Sequence, residues 1–194
     1  MPECARRNDG VRSDAGLESG GDDRKYLETA HLFSLRAPDY ALGLYNLGKL
    51  LEMEGDPSGA KAKYEESLRI NPSAPEARNN LAGIAASTGD AASAIAQYEA
   101  VIRANPEFES AHYNLGVLLA RQGDYSRAAE YLERAVQLDP RDAPALAGLG
   151  RVRVMQGRPR DAVVYYDRAL ALEPGAADVR EEAELLRENL REEP

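Results

Sequence analysis

Small residues and turn formers recur through this chain at a fixed interval. Gly48, Ala82, Gly116 and Gly150 stand in steps of 34, as do Gly55, Gly89, Gly123 and Gly157. Ala60, Ala94, Ala128 and Ala162 keep the same step of 34, and so do Pro72, Pro106, Pro140 and Pro174. A period of this size marks a chain built from one supersecondary unit that cannot bury its apolar face alone, so neighbours must stack to make a continuous core. The 43% of hydrophobic residues is therefore spread along a ribbon rather than gathered into a ball.

Each unit reads as two helices. In the first, Leu44, Leu47, Leu50 and Leu51 make an apolar stripe at helical spacing. A glycine ends that helix, since glycine takes the left-handed terminal position without a steric penalty. Asp56, Asp90 and Asp124 follow at once as N-caps of the second helix, with Pro57 suited to its first turn. The second helix closes ahead of proline at Asn71-Pro72, Asn105-Pro106, Asp139-Pro140 and Glu173-Pro174. Ser73 and Glu76 have capping-box spacing for the next helix. The small residues 48, 82, 116 and 150 are expected to let the first helix approach the alanines at 60, 94, 128 and 162, with Tyr64, Tyr98, Leu132 and Tyr166 filling the space beside them.

These signals predict an all-α solenoid of stacked hairpins. Residues 1–20 are polar and without period, and are expected to be a disordered tail. Residues 21–40 read as a half-repeat helix, because Gly21 and Pro38 each lie 34 before Gly55 and Pro72. Four full units follow at 41–74, 75–108, 109–142 and 143–176, and 177–194 reads as a capping helix whose stripe is Val179, Ala183, Leu186 and Leu190.

The pattern resembles the tetratricopeptide repeat (TPR) family. The third unit carries it as His112, Leu115-Gly116, Leu119, Gly123-Asp124-Tyr125, Ala128, Leu132, Ala135 and Pro140, and the first as Leu44, Leu47-Gly48, Leu51, Gly55, Ala60, Tyr64 and Pro72. The resemblance implies a right-handed superhelix of antiparallel helix pairs with first helices lining a concave groove. Departures are local. Arg78 and Ala85 stand where bulk is usual, so the second hairpin is expected to be the least stable; Ser67 and Val101 replace an alanine; and Arg153 replaces an aromatic and is expected to reach toward the acidic last helix. Pentatricopeptide repeats, which read RNA, have a period one residue longer and a basic balance, against this chain's formal charge of -9.

Function is expected to be contact rather than chemistry. The acidic balance argues against nucleic acid as a partner. A lone cysteine, Cys4, supports neither an internal disulfide nor a thiolate metal site, and fits a cytoplasmic location. No stretch approaches the roughly 20 apolar residues of a membrane span. His31 and His112 fall in different units, and His112 occupies a packing position of the family. No phosphate loop, metal-ligand spacing or nucleophile motif occurs, so the chain reads as a non-enzyme without cofactors.

In the family's register the groove is lined by the second, fifth, sixth, ninth, twelfth and thirteenth places of each unit. The sixth places give Asn46, Asn80 and Asn114, one amide per hairpin, and the row stops at Gly148. An amide pairs with a peptide's C=O and N–H together. First helices about 8–10 Å apart and an extended chain rising about 3.3 Å per residue put one rung to about three peptide residues. Alternatively the asparagines are tolerated surface residues of the repeat consensus. Tyr45 and Tyr113 add aromatic surface, and Lys49, Arg121 and Arg151 add positive charge, the two arginines lying on adjacent units where they could take a carboxylate. The clamp by which some family members hold acidic chaperone tails is matched only at Asn80.

The leading expectation is a monomeric adaptor or scaffold that binds an extended peptide or partner helix of another protein. A self-associating scaffold that stacks through its terminal helices is the structural alternative. The substrate-recruiting subunit of a separate enzyme is the enzyme-linked one.

Overall fold

A computed structural model describes residues 41–192; the expected tail over 1–20 and half-repeat helix over 21–40 lie outside the described residues. Nine helices follow one another among the described residues. They are α1 (Ala41–Met53), α2 (Pro57–Ile70), α3 (Pro75–Ser87), α4 (Ala91–Ala104), α5 (Glu109–Arg121), α6 (Tyr125–Leu138), α7 (Ala143–Met155), α8 (Pro159–Leu172) and α9 (Ala177–Glu192). Helices α1, α3, α5 and α7 are the first helices of their units and each packs on the even-numbered helix after it, while α9 packs on α8.

The turn inside each hairpin repeats atom by atom. Gly55, Gly89, Gly123 and Gly157 have φ of 78°, 88°, 83° and 71°, which reverses the chain. The next N–H then reaches back five residues, as from Asp56 to Leu51 O at 2.8 Å and from Asp124 to Leu119 O at 3.0 Å. The side chains of Asp56, Asp90 and Asp124 accept from the N–H of Gly59, Ser93 and Arg127 at 2.8, 3.1 and 3.2 Å. One aspartate thus closes the first helix with its backbone and opens the second with its carboxylate. In the fourth unit Arg158 keeps the backbone bond, but no side chain caps α8.

The turn between hairpins is fixed differently from expectation. Ser73 does not cap α3; the helix starts one residue later, from Ala74, with no side-chain cap. The working side chain is the one before proline: Asn71, Asn105 and Asp139 accept from the N–H two residues on, at 3.2, 3.2 and 2.9 Å. A second tie crosses the same turn. Arg78 Nη2 donates to Pro72 O at 2.8 Å, His112 Nε2 to Pro106 O at 3.0 Å, and Arg180 to Pro174 O. These residues occupy one place in three units, so Arg78 replaces packing with a bond to the turn.

Close approach of the paired helices follows the small residues; the nearest partner is the bulky residue, and at Gly116 the alanine meets it too, a Cβ there lying 3.2 Å from Ala128 O. A Cβ on Gly48 would come 2.5 Å from the Tyr64 ring, one on Gly150 would come 2.6 Å from the Tyr166 ring, and one on Gly116 would come 2.7 Å from Leu132 Cγ. The core has two parts. The larger runs from Ala82 to Ala183, and the smaller holds Ala60, Tyr64, Ala77 and Ile84. The division falls on α3, in the unit where Arg78 and Ala85 replace bulk. Buried Ser67 donates to Ala41 O at 2.7 Å, which ties the start of α1 to α2.

Arg153 does not reach α9. It is buried, 7% exposed, and pairs with Glu133 of α6 while donating to Gln156 Oε1 at 2.7 Å. Its place on α7 faces back toward the preceding unit. The arginines that hold α9 are Arg151 and Arg187, the latter paired with Asp167. Helix α9 begins 34 residues after α7, so it stands as a fifth first helix. Val179 and Ala183 are buried on it. Glu184 occupies the place where full units have Gly or Ala, and it is exposed. Beyond helices adjacent in sequence, contacts join α3 to α5 and α5 to α7. First helices therefore form the tighter, inner side of the stack. Among the described residues no helix is long and apolar enough to cross a membrane.

Candidate functional site

The inner surface is lined by α1, α3, α5, α7 and α9, and its two ends differ. Toward the N-terminal end the floor is a polar chain. Tyr64 Oη donates to Glu52 and accepts from Asn80 Nδ2 at 3.1 Å, while Asn79 Nδ2 lies 3.4 Å from Asn80 Oδ1. Asn114 Nδ2 donates to Asn79 Oδ1 at 3.2 Å, which carries the chain across to the third unit. Asn80 and Asn114 are half-buried, each with one N–H committed inward, and Asn46 is exposed. Asn79, which sequence reasoning passed over, is the buried link at 7% exposure.

Tyr45 packs its ring 5.9 Å from that of Tyr64, and Lys49 Nζ sits 5.8 Å from the Tyr45 ring centre. Burial, with Glu76 nearby, raises the Tyr45 phenol above its ordinary range. Burial raises Tyr64 and Tyr113 as well, and pushes Tyr98 up to about 12. At neutral pH these phenols are therefore neutral hydrogen-bonding groups.

Toward the C-terminal end the floor turns apolar. Tyr113, Val117, Arg121, Leu132, Gly148 and Met155 line a cleft of about 470 Å³. A second cleft of about 330 Å³, lined by Val154, Met155, Tyr166, Leu185 and Leu186, shares Arg151 and Met155 with the first. Met155 and Leu185 are each 58% exposed. Val154, Met155 and Leu185 occupy inner places of the fourth unit and of α9. Reading the twelfth and thirteenth places of the fourth unit, and carrying the family register into the last helix, would have found them.

The two arginines expected to share a carboxylate are not equivalent. Arg151 is taken: Nε donates to the Glu182 carboxylate at 2.9 and 3.0 Å, and Nη2 to Asp178 at 2.8 Å. Its bond to Glu182 holds the guanidinium above its ordinary range, and Arg151 in turn holds Asp178 below the carboxylate range. Arg121 is exposed and has no ion pair among the described residues.

Beside the groove, burial and the adjacent Asp142 carboxylate raise Glu109 to about 7. Asp142 is also the N-cap of α7, accepting from Ala145 N at 3.1 Å. His112 is buried; burial lowers its pKa, and its Nδ1 has no partner. Among the described residues no three His, Cys, Asp or Glu side chains converge on a point where they could hold a metal ion. The arrangement offers amides, phenols, one unpaired guanidinium and two apolar clefts.

Two tetratricopeptide repeat family models, TPR_16 and TPR_19, match the chain, the first over 45–98 and 85–143 and the second over 119–181. No curated protein matches. Among solved structures, MamA superposes with a TM-score of 0.67 at 22% identity, covering 81% of this chain and 92% of MamA. YrrB, described as a TPR protein with an unusual peptide-binding site, gives 0.68 at 23% identity and covers 85% of each chain. Identities this low establish the fold alone. The repeat models cover well over half of the sequence, with the hairpin geometry described above, and the chain belongs to the tetratricopeptide repeat family.

Proposed function

We propose that this protein is a non-catalytic adaptor or scaffold that holds an extended peptide or a helix of another protein against the inner surface of its first helices. One observation carries the reading. The first helices bury one face in the core, yet keep Asn46, Arg121, Met155 and Leu185 exposed on the other, beside the half-buried Tyr113 and Val117. TPR proteins are generally interaction modules, and YrrB of the same fold is described as having a peptide-binding site. Glu184 and the charged face of α9 weigh against end-to-end stacking through that helix.

Asn80→Ala with Asn114→Ala is expected to weaken a captured partner peptide from its micromolar affinity, read by calorimetric titration with both proteins at matched thermal stability. Unchanged affinity would remove the amides from the binding surface. Sedimentation at several concentrations separates the stacking scaffold, which grows with concentration, from a monomeric adaptor.

A further inference from the structure

Gly148 is unlike Gly48, Gly116 and Gly150, and like Gly83, where a Cβ would likewise make only ordinary contact, with Tyr98 Oη at 3.6 Å. A Cβ at 48, 116 or 150 would come within 2.5–2.7 Å of the paired helix, so packing demands glycine there. At 148 the nearest atoms would be Leu132 Cδ2 at 3.6 Å and Tyr113 Cε2 at 4.0 Å, which is ordinary contact. Glycine inside a helix is unfavourable relative to other residues, and here neither packing nor φ asks for it. Its effect is on the surface. It stops the asparagine row and opens the larger cleft down to Tyr113 and Leu132.

Charge around the clefts is graded. Arg121 at the end of α5 is unpaired among the described residues, whereas Arg151 is neutralised by Asp178 and Glu182. On α9, Glu181 and Glu188 stand exposed at inner places without an ion pair among the described residues. A carboxylate is therefore attracted at the α5 side and repelled at the α9 side.

Resting on the groove reading above, we infer that the C-terminal section of the groove takes a linear segment of another protein with two aliphatic side chains and one carboxylate. One aliphatic side chain fills the cleft over Gly148, the other lies between Met155 and Leu185, and the carboxylate meets Arg121. The two clefts meet at Met155, so both side chains come from one continuous segment.

The test is selection from a phage-displayed library of random linear peptides, on the wild-type protein and on Arg121→Glu. Wild type is expected to enrich peptides with an acidic residue and two aliphatic ones, and Arg121→Glu to exchange the acidic residue for Lys or Arg. The leading wild-type peptide, made synthetically, is expected to lose at least about tenfold in affinity to Gly148→Leu, while the melting temperature of that variant does not fall. Persistent acidic enrichment on Arg121→Glu, or full affinity on Gly148→Leu, overturns the inference. If affinity falls with Asn80→Ala and Asn114→Ala but with neither of these, the groove reading stands and this one fails. If no peptide is enriched, or the enriched peptide ignores every variant, both fail.

Discussion

In the first hairpin the ring of Tyr64 lies over Gly48, and its hydroxyl is committed to Glu52 and Asn80. In the third hairpin Leu132 fills the same place over Gly116, with no polar atom to satisfy. The difference extends to whole halves of the molecule. The larger core cluster joins α5 to α8 through Leu115, Leu119, Leu132, Leu146, Leu149 and Val152, and draws in α9. Among the described residues, the smaller cluster at the N-terminal end holds Ala60, Tyr64, Ala77 and Ile84, with Leu44 and Leu47 also buried there, and amides and a phenol link across units. Contacts between first helices stand out in the middle of the stack, between α3 and α5 and between α5 and α7, while α1 with α3 and α7 with α9 are the looser pairs. One repeat pattern thus yields a firm half, whose inner surface is apolar, and a softer half, whose inner surface is polar and internally bonded.

The largest expected effect tests the firm half. Leu132→Ala removes a fully buried side chain and leaves a cavity beneath Gly116, at a cost of about 2–5 kcal/mol. Because the core around Leu132 is continuous, native-state hydrogen exchange should lose protection across α5–α8 together. Loss confined to α5 and α6 would show that the units fold independently. In the wild type, protection should be lower in α1 and α2 than in α6 and α7; equal protection would erase the contrast.

A smaller effect tests the softer half. Tyr64→Phe keeps the ring over Gly48 but leaves Asn80 Nδ2 and Glu52 without their partner. A cost of about 1–2 kcal/mol is expected in chemical denaturation. Tyr98→Phe should cost less, since Tyr98 Oη is part of no such chain. Equal costs would mean that the amide chain contributes nothing to stability.

These contrasts were partly legible in the chain. The period, the left-handed glycines and the aspartate caps follow from local residue chemistry, and the structure repeats the glycines in all four units and the caps in the first three. What escaped were differences of one or two positions on a helix. Successive residues turn by about 100°, so Asn79 is buried while Asn80 is half-open, and Arg153 faces Glu133 while Arg151 faces α9. A register error of one residue exchanges a core role for a surface one. Ser73 misled for a related reason: capping-box spacing is a local pattern, and Asn71 had already organised that turn.

The smallest effect concerns pH. Glu109 has a folded pKa of about 7 against an ordinary value of 4.5, so between these values the native state holds a proton that the unfolded chain has released. Stability should therefore rise as pH falls from about 7.5 to about 5, and decline as pH rises through 7. Because Glu109 is half-exposed, the change is on the order of 1 kcal/mol. Glu109→Gln should flatten that slope in denaturant titrations at several pH values. An unchanged slope would assign it to other groups.

The most direct test of binding on the inner surface is a map of where a selected peptide lies. Isotope-labelled protein is titrated with the peptide, and amide shifts are followed by NMR. Inner-surface binding predicts that the perturbed residues cluster on α5, α7 and α9, with Tyr113, Val117, Gly148, Met155 and Leu185 among the most affected and saturating together. Perturbations concentrated on α2, α4, α6 and α8 would place the work of this protein on its outer face and contradict it.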